Sequence, residues 1–150
     1  MENNRISKDD YYLGIAEAVA QRSTCLRRKY GAVIVNNDEI VSTGYNGAPR
    51  GCANCCDLGF CEREKLGVPK GERYDLCKSV HAEQNAIISA SRKDMLDSTL
   101  YITGLEVQDV GHKYANPEPC MICKRFIQNA GIMRVIGRGV DGSIVRFDVI

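Results

Sequence analysis

The segment Ser79–Ile87, SVHAEQNAI, puts a histidine and a carboxylate two residues apart. Apolar residues recur along it at helical spacing, which predicts a helix from His81 to about Lys93. Residues i and i+2 do not share a helix face, so helix periodicity alone gives no reason for pairing His81 with Glu83. If His81 caps the helix, where the backbone is not yet helical, both side chains can point toward one site beside the helix start.

The composition of the chain limits the class of protein to which such a site can belong. The chain has 150 residues, of which 44% are hydrophobic and 26% charged, and a formal net charge of +1. These values predict a single domain over residues 1–150, with no strong attraction to nucleic acid or to an anionic membrane. No apolar leader and no run of about 18 apolar residues is present, so we expect a soluble, cytoplasmic protein.

Helical and strand patterns alternate along most of the chain. A polar turn between two apolar runs predicts a β-hairpin, and a cysteine-rich loop fills about residues 46–80. Leu105–Glu118 is predicted to be a second irregular loop. The pattern predicts an α/β fold with a mixed β-sheet covered by helices. The predicted helices are Asp9–Arg22, His81 to Lys93 and Met121–Ala130, and the predicted strands are Ala32–Val35, Ile40–Gly44, 98–104, 132–137 and 143–150.

Eight cysteines are unusual for a chain without an export signal, and they favour metal binding or catalysis over disulfides. Cys120 and Cys123 are three residues apart at a predicted helix start, so both sulfurs lie on one side of the first turn. Pro119 suits that turn, and a helix N-terminus favours thiolate over thiol.

His81, Cys120 and Cys123 can therefore provide three ligands to Zn²⁺, with water as the fourth. Three protein ligands plus water is the arrangement of catalytic zinc sites, whereas structural sites use four protein ligands. Because two thiolates weaken the metal as a Lewis acid, a carboxylate is needed to carry protons from the water to the substrate, and Glu83 is placed to do so. Such a site suits attack on a ring carbon that bears an amino group.

The pattern H-x-E followed by P-C-x-x-C is the signature of the zinc nucleobase deaminases, here HAE at 81–83 and PEPCMIC at 117–123. Within that superfamily the chain most resembles the deoxycytidylate (dCMP) deaminase family. RSTC (22–25), GAVIV (31–35), GYNGAPRG (44–51), HAEQNAI (81–87) and PCMIC (119–123) carry the resemblance over nearly the whole chain.

The resemblance implies a three-layer cytidine-deaminase-like fold and hydrolysis of dCMP to dUMP and ammonia, which supplies dUMP for thymidylate synthesis. It implies that Asn46 contacts the sugar and that Arg92 lies near the 5′-phosphate. It further implies a homo-oligomer, as a hexamer or dimer, with dCTP as activator, dTTP as inhibitor, and Mg²⁺ as a companion of the nucleotide effector.

The resemblance also implies a second, structural zinc held by Cys25 and Cys55, for which Cys61 and Cys77 would complete a set of four ligands. A metal there would order the long loop, since metal binding contributes folding free energy. Two further loop cysteines are alternative members of this set: Cys52 and Cys56.

Other interpretations stay open at this point. A related zinc deaminase could act on adenosine in tRNA, on guanine or on a pyrimidine of riboflavin synthesis, although the near-neutral charge argues against tRNA. A non-catalytic zinc module could bind partners or nucleic acid through residues 52–77. Taken singly, Asn46 can be a turn residue, Arg92 a solvated cation at a helix end, Glu83 a solvated first-turn acid and His112 an exposed loop residue or part of the pocket wall.

Overall fold

A mixed β-sheet organises the part of the chain described by the computed structural model, which comprises residues 4–69, 72–73, 76–108, 111 and 113–149. Five strands follow the order β2-β1-β3-β5-β6, and β4 pairs with β3 beside this path. β3 and β5 are parallel, and the other neighbouring pairs are antiparallel. The elements are α1 (Lys8–Ala20), β1 (Arg28–Asn36), β2 (Glu39–Tyr45), α2 (Cys55–Leu58), α3 (Glu62–Lys65), α4 (Ala82–Ile88), α5 (Arg92–Met95), β3 (Thr99–Glu106), β4 (Lys113–Tyr114), α6 (Met121–Ala130), β5 (Arg134–Arg138) and β6 (Ile144–Phe147).

The β1–β2 hairpin forms where the polar turn predicts it. Asn37 and Asp38 have φ values of 51° and 59°, which is the left-handed region that asparagine and aspartate tolerate best after glycine. Two such residues match a hairpin turn to the right-handed twist of the strands. β1 is longer than predicted, because it begins at Arg28 rather than at Ala32.

Strand alternation separates two apolar cores, one on each face of the sheet. Val33 and Val35 of β1 pack with α1 in one core. Ala32 and Ile34 of the same strand pack with α4, α5 and α6 in the other. Helices therefore cover both faces, and the predicted three-layer α/β architecture is confirmed. No helix in the described ranges is both long and apolar enough to span a membrane.

The predicted helix from His81 to Lys93 is two helices. α4 ends at Ile88, and α5 begins at Arg92 after the cap Ser91, whose hydroxyl accepts a hydrogen bond from the Asp94 N–H. Serine side chains compete with the helix for backbone hydrogen bonds, so a Ser-Ala-Ser run after Ile88 ends the helix early.

The two irregular segments have more structure than their sequences indicate. The cysteine-rich loop contains the short helices α2 and α3, and an isolated bridge between Gly47 and Val80 closes its base. Arg63 is 6% exposed, and its guanidinium donates hydrogen bonds to the carbonyls of Pro69 and Glu72. In the predicted loop Leu105–Glu118, β3 continues to Glu106 and β4 pairs with it.

Candidate metal centre and active site

The candidate site forms where α4 and α6 begin side by side on one face of the sheet. His81 is the N-cap of α4, with extended backbone angles (φ −72°, ψ 154°), and its N–H donates to Gln84 Oε1 at 3.0 Å. Cys120 is the N-cap of α6, preceded by Pro119, and its Sγ accepts a hydrogen bond from the Cys123 N–H. Each cap has a non-helical backbone, which lets its side chain point beyond the end of its helix.

Three donor atoms from these helix starts meet at one point. The imidazole and the two sulfurs of His81, Cys120 and Cys123 lie within 4.8 Å of one another, and in the described ranges they form the only cluster of this kind. His81 Nδ1 is 3.3 Å from Cys123 Sγ and 3.7 Å from Cys120 Sγ. Tetrahedral Zn²⁺ with ordinary bond lengths would separate a nitrogen from a sulfur ligand by about 3.6 Å. The spacing and the donor types therefore fit zinc.

The two thiols of this cluster are electrostatically unequal. Hydrogen bonds from Cys123 and then from His81 lower the pKa of Cys120 to about 3. The pKa of Cys123 is raised, first by its hydrogen bond to Cys120 and then by burial. The hydrogen bond to Cys120 also raises the pKa of His81. Cys120 therefore favours the thiolate form that binds a cation, and Cys123 becomes a thiolate when a cation displaces its proton.

Glu83 is the buried acid of the site. This residue, the second of α4, is 5% exposed, and burial is the main cause that raises the pKa of its carboxyl. The charges of Cys120 and His81 also act on it, which places the carboxyl beside the candidate metal ligands. A carboxyl in this position can accept a proton from one group and give it to another.

A cleft of about 190 Å³ opens onto these groups. Asn46, 8% exposed, lines it, and its side chain is tied to β1: Oδ1 accepts from the Tyr30 N–H at 2.8 Å and Nδ2 donates to the Arg28 carbonyl at 3.0 Å. One Nδ2 hydrogen and one Oδ1 lone pair are left for other partners. Asn46 therefore has a structural role, and its expected contact with a sugar stays a prediction.

Arg92 does not lie in this cleft. It begins α5, and its Nε donates at 3.1 Å to the carbonyl of Asn129, near the C-terminal end of α6. The metal-ligand candidates are at the other end of α6. Since α4 stops at Ile88, the chain turns away before Arg92, and the structure does not bring this residue to the site within one chain.

Three arginines that line the cleft are not among the site residues predicted from the sequence. Arg27, Arg28 and Arg63 all belong to its wall. The available signal is the Arg-Arg pair at 27–28, which follows the RSTC element after one leucine, but the predicted strand begins only at Ala32 and leaves the pair out.

The four cysteines predicted to hold a second zinc are neighbours. Burial and then the charges of Cys25, Cys61 and Cys77 raise the pKa of Cys55. Three of the four, Cys25, Cys61 and Cys77, also line the cleft wall. In the described structure their sulfurs do not form a cluster as tight as the three-residue centre above. His112 lies outside the described residues.

Comparison with known families identifies the class. A family model described as the cytidine and deoxycytidylate deaminase zinc-binding region matches residues 6–137. That match spans most of the fold, including both helix starts that carry the candidate ligands. The class is therefore that of zinc-binding deaminases of the cytidine and deoxycytidylate type.

Individual relatives narrow the class. The chain is 42% identical over 133 residues to the deoxycytidylate deaminase of Mycobacterium phage D29, covering 85% of this chain and 91% of that protein. It is 35% identical over 133 residues to the deoxycytidylate deaminase of Saccharomyces cerevisiae, covering 88% of this chain but only 38% of the longer yeast protein. A solved dCMP deaminase of cyanophage S-TIM5, in complex with dCMP and dUMP, superposes with a TM-score of 0.62 and 29% identity over 90% of this chain and 85% of that one. The chain belongs to the deoxycytidylate deaminase family.

Proposed function

We propose that the protein catalyses hydrolytic deamination of dCMP to dUMP and ammonia, with His81, Cys120 and Cys123 as zinc ligands. The observation that carries this proposal is the convergence of those three donors within 4.8 Å, beside the buried Glu83, in a member of this family. A catalytic zinc needs an open coordination position, and three protein ligands leave one.

Bound Zn²⁺ would supply Lewis-acid activation of the water that attacks C4 of the cytosine ring. Glu83 moves two protons in turn: its carboxylate accepts the first from the attacking water and delivers it to the ring nitrogen N3, and it then takes the second from the new hydroxyl group on C4 and gives it to the departing amino group. The carbon–nitrogen bond at C4 breaks, a carbon–oxygen bond replaces it, and ammonia leaves. The cleft walls hold the base next to this carboxyl and limit access of bulk water.

Glu83→Gln tests the proton-transfer role. Glutamine has nearly the same size but cannot carry the proton, so kcat should fall by about 10²–10⁴-fold or more while zinc content stays at the wild-type value. Metal analysis of the same preparations provides that control. Activity of the variant within tenfold of wild type would refute the assignment of Glu83.

A substrate panel tests the activity itself. Ammonia release should be fastest from dCMP when dCMP, CMP, deoxycytidine and a tRNA anticodon stem are compared at equal concentration. A preference for the tRNA stem would point to a different zinc deaminase. Absence of turnover on all four, with zinc bound, would favour a non-catalytic zinc module.

We further propose that Cys25, Cys55, Cys61 and Cys77 bind a second, structural zinc. The charges of Cys25, Cys61 and Cys77 add to the effect of burial in raising the pKa of Cys55, and this closeness of the four thiols supports the proposal. Metal analysis should give two zinc ions per wild-type chain and one in Cys55→Ser. The exposed Cys52 supplies the matched control, because Cys52→Ser should keep both ions. One ion in the wild type would refute the second site.

Regulation, assembly and location complete the proposal. A groove beside Tyr45 and Gly47, on the GYNG element, supports binding of a nucleotide effector with Mg²⁺. We expect a cytoplasmic homo-oligomer, hexameric or dimeric, that is activated by dCTP and inhibited by dTTP. Sedimentation, together with initial rates measured with and without each nucleotide, tests these points; a monomer that is indifferent to both nucleotides would contradict them.

A further inference from the structure

A substrate that carries a phosphate monoester needs a cation in the cleft, and this requirement rests on the proposed dCMP deaminase activity. Besides His81, the described residues that line the cleft offer three cationic side chains: Arg27, Arg28 and Arg63. A guanidinium can present two parallel N–H groups to a phosphate, which makes arginine the best suited side chain for this task.

Two of the three arginines are engaged in holding the cysteine-rich loop. Arg63 is 6% exposed and donates to the carbonyls of Pro69 and Glu72. The Nε of Arg27 is 2.8 Å from Glu64 of α3, so this guanidinium ties the segment before β1 to the loop. Arg27 is paired through Nε as Arg28 is, but its partner Glu64 lies on a four-residue helix of the loop and has a side chain that is 57% exposed, whereas the partner of Arg28 lies on a central strand.

Strand periodicity places Arg28 on the face of the sheet that carries the site. Arg28, Tyr30 and Ala32 alternate with residues of the opposite face of β1. Tyr30 and Ala32 belong to the core that includes Ala82 of α4, next to His81. The Arg28 side chain therefore leaves β1 on the same side as the start of α4.

An acidic partner fixes the Arg28 guanidinium and leaves its outer edge available. Glu106 of β3 lies directly opposite Arg28 in the strand register, and Nε donates to both of its carboxylate oxygens, at 3.1 and 3.3 Å. Within the described residues, the two Nη groups have no hydrogen-bond partner. The side chain is 31% exposed at the cleft wall.

We propose that Arg28 binds the 5′-phosphate of the substrate through its two Nη groups, with Glu106 holding the guanidinium in position. Arg28 then selects nucleotides over nucleosides, the role that the family resemblance had assigned to Arg92. Because Arg92 and Arg28 lie at different places in the fold, substitutions at the two positions separate the two assignments.

The test compares nucleotide with nucleoside in the zinc-loaded, full-length protein. The kcat/KM ratio of dCMP to deoxycytidine should fall on the order of 10- to 100-fold in Arg28→Gln, which is the scale of a charge-assisted hydrogen-bond pair. Lys29→Gln is the matched control, since it removes the same charge one residue along β1, on the opposite face, and should keep the wild-type ratio. Arg28→Lys, which keeps the charge but not the planar fork, should give an intermediate ratio.

A binding measurement without turnover makes the outcome independent of the deaminase activity. The Kd of dUMP should rise relative to that of deoxyuridine by a similar factor in Arg28→Gln, measured by calorimetry. If the wild type fails to deaminate dCMP, the proposed function fails while this ratio still reports on Arg28. Equal losses for the phosphorylated and unphosphorylated ligands, or a phosphate-specific loss in Arg27→Gln or Arg92→Gln but not in Arg28→Gln, would overturn the assignment.

Discussion

The contact between α4 and β2 depends on the absence of a side chain at Gly44. A Cβ built there would lie 2.3 Å from the backbone N of Ala86 and 2.4 Å from the carbonyl O of Ala82, both in α4. Backbone atoms cannot rotate away as a flexible side chain can. Gly44→Ala therefore forces the whole of α4 away from the sheet, together with its cap His81 and with Glu83.

The size of that shift follows from the distances. Ordinary contact begins at 3.4 Å, so α4 must retreat by about 1.1 Å. Overpacking of this kind costs about 1–3 kcal/mol of stability. A misplacement of about 1 Å in a catalytic group can reduce the rate by about 10²-fold. We therefore expect Gly44→Ala to lose activity well beyond the loss that its stability change explains.

Two other glycines provide matched controls. At Gly31 a Cβ would lie 2.0 Å from the carbonyl O of Ala16 in α1, on the opposite face of the sheet from α4. Gly31→Ala should therefore destabilise the fold without moving α4. At Gly14, within α1, a Cβ meets nothing within 4 Å, so Gly14→Ala should be stabilised by about 0.5–1 kcal/mol through helix propensity.

We would measure urea unfolding, zinc content and initial rates on dCMP for all three variants, with the rates taken well below the unfolding midpoints. These measurements distinguish a loss of packing stability from a displacement of the catalytic groups on α4. Gly44→Ala should stand apart in kcat and in zinc affinity. Wild-type stability in Gly44→Ala would refute the described contact. An equal loss of activity in Gly31→Ala, at equal stability, would refute the link between the position of α4 and catalysis.

Two further predictions concern polar contacts. Asn46→Ala removes the acceptor for the Tyr30 N–H and the donor to the Arg28 carbonyl, so urea unfolding should show a loss of about 1–3 kcal/mol; unchanged stability would exclude this structural role. The hydrogen bond from the Tyr12 hydroxyl to Asp38, aided by burial, raises the pKa of Tyr12 to about 12. Its contribution to stability is therefore complete below about pH 10, the ordinary value, and disappears as the pH rises toward 12. The urea midpoint of Tyr12→Phe should consequently fall less than that of the wild type between pH 9 and 11.5, and parallel decreases would contradict this linkage.

Short-range signals made several elements predictable from sequence. The polar Asn37-Asp38 turn located the hairpin, and Gly131, with φ of 86°, ends α6 where predicted. The spacing of Cys120 and Cys123 at a helix start located the thiol pair. These features depend on residues within one or two turns of each other, which is the range over which periodicity and capping are informative.

Residues whose positions depend on contacts between distant parts of the chain are harder to predict from the sequence. The predicted strand begins at Ala32, whereas β1 begins at the charged pair Arg28 and Lys29, so the apolar pattern does not reveal the arginine at the cleft. Arg92 was assigned from resemblance, but its position depends on the serine-rich break after Ile88 and on packing against the end of α6. The neighbours of Cys55 likewise depend on how the long loop closes on itself, which no local pattern encodes.

The length of β1 has a practical consequence for handling the protein. Its nine residues rise roughly 26 Å from Arg28 at the cleft to the hairpin turn. The first turn of α1 lies beside that turn, where Lys8 pairs with Asp38 at 3.1 Å. A fluorophore or a surface tether attached to the segment just before α1 would therefore leave the cleft open to nucleotides, so the enzyme can be immobilised through that segment for single-molecule or biosensor work.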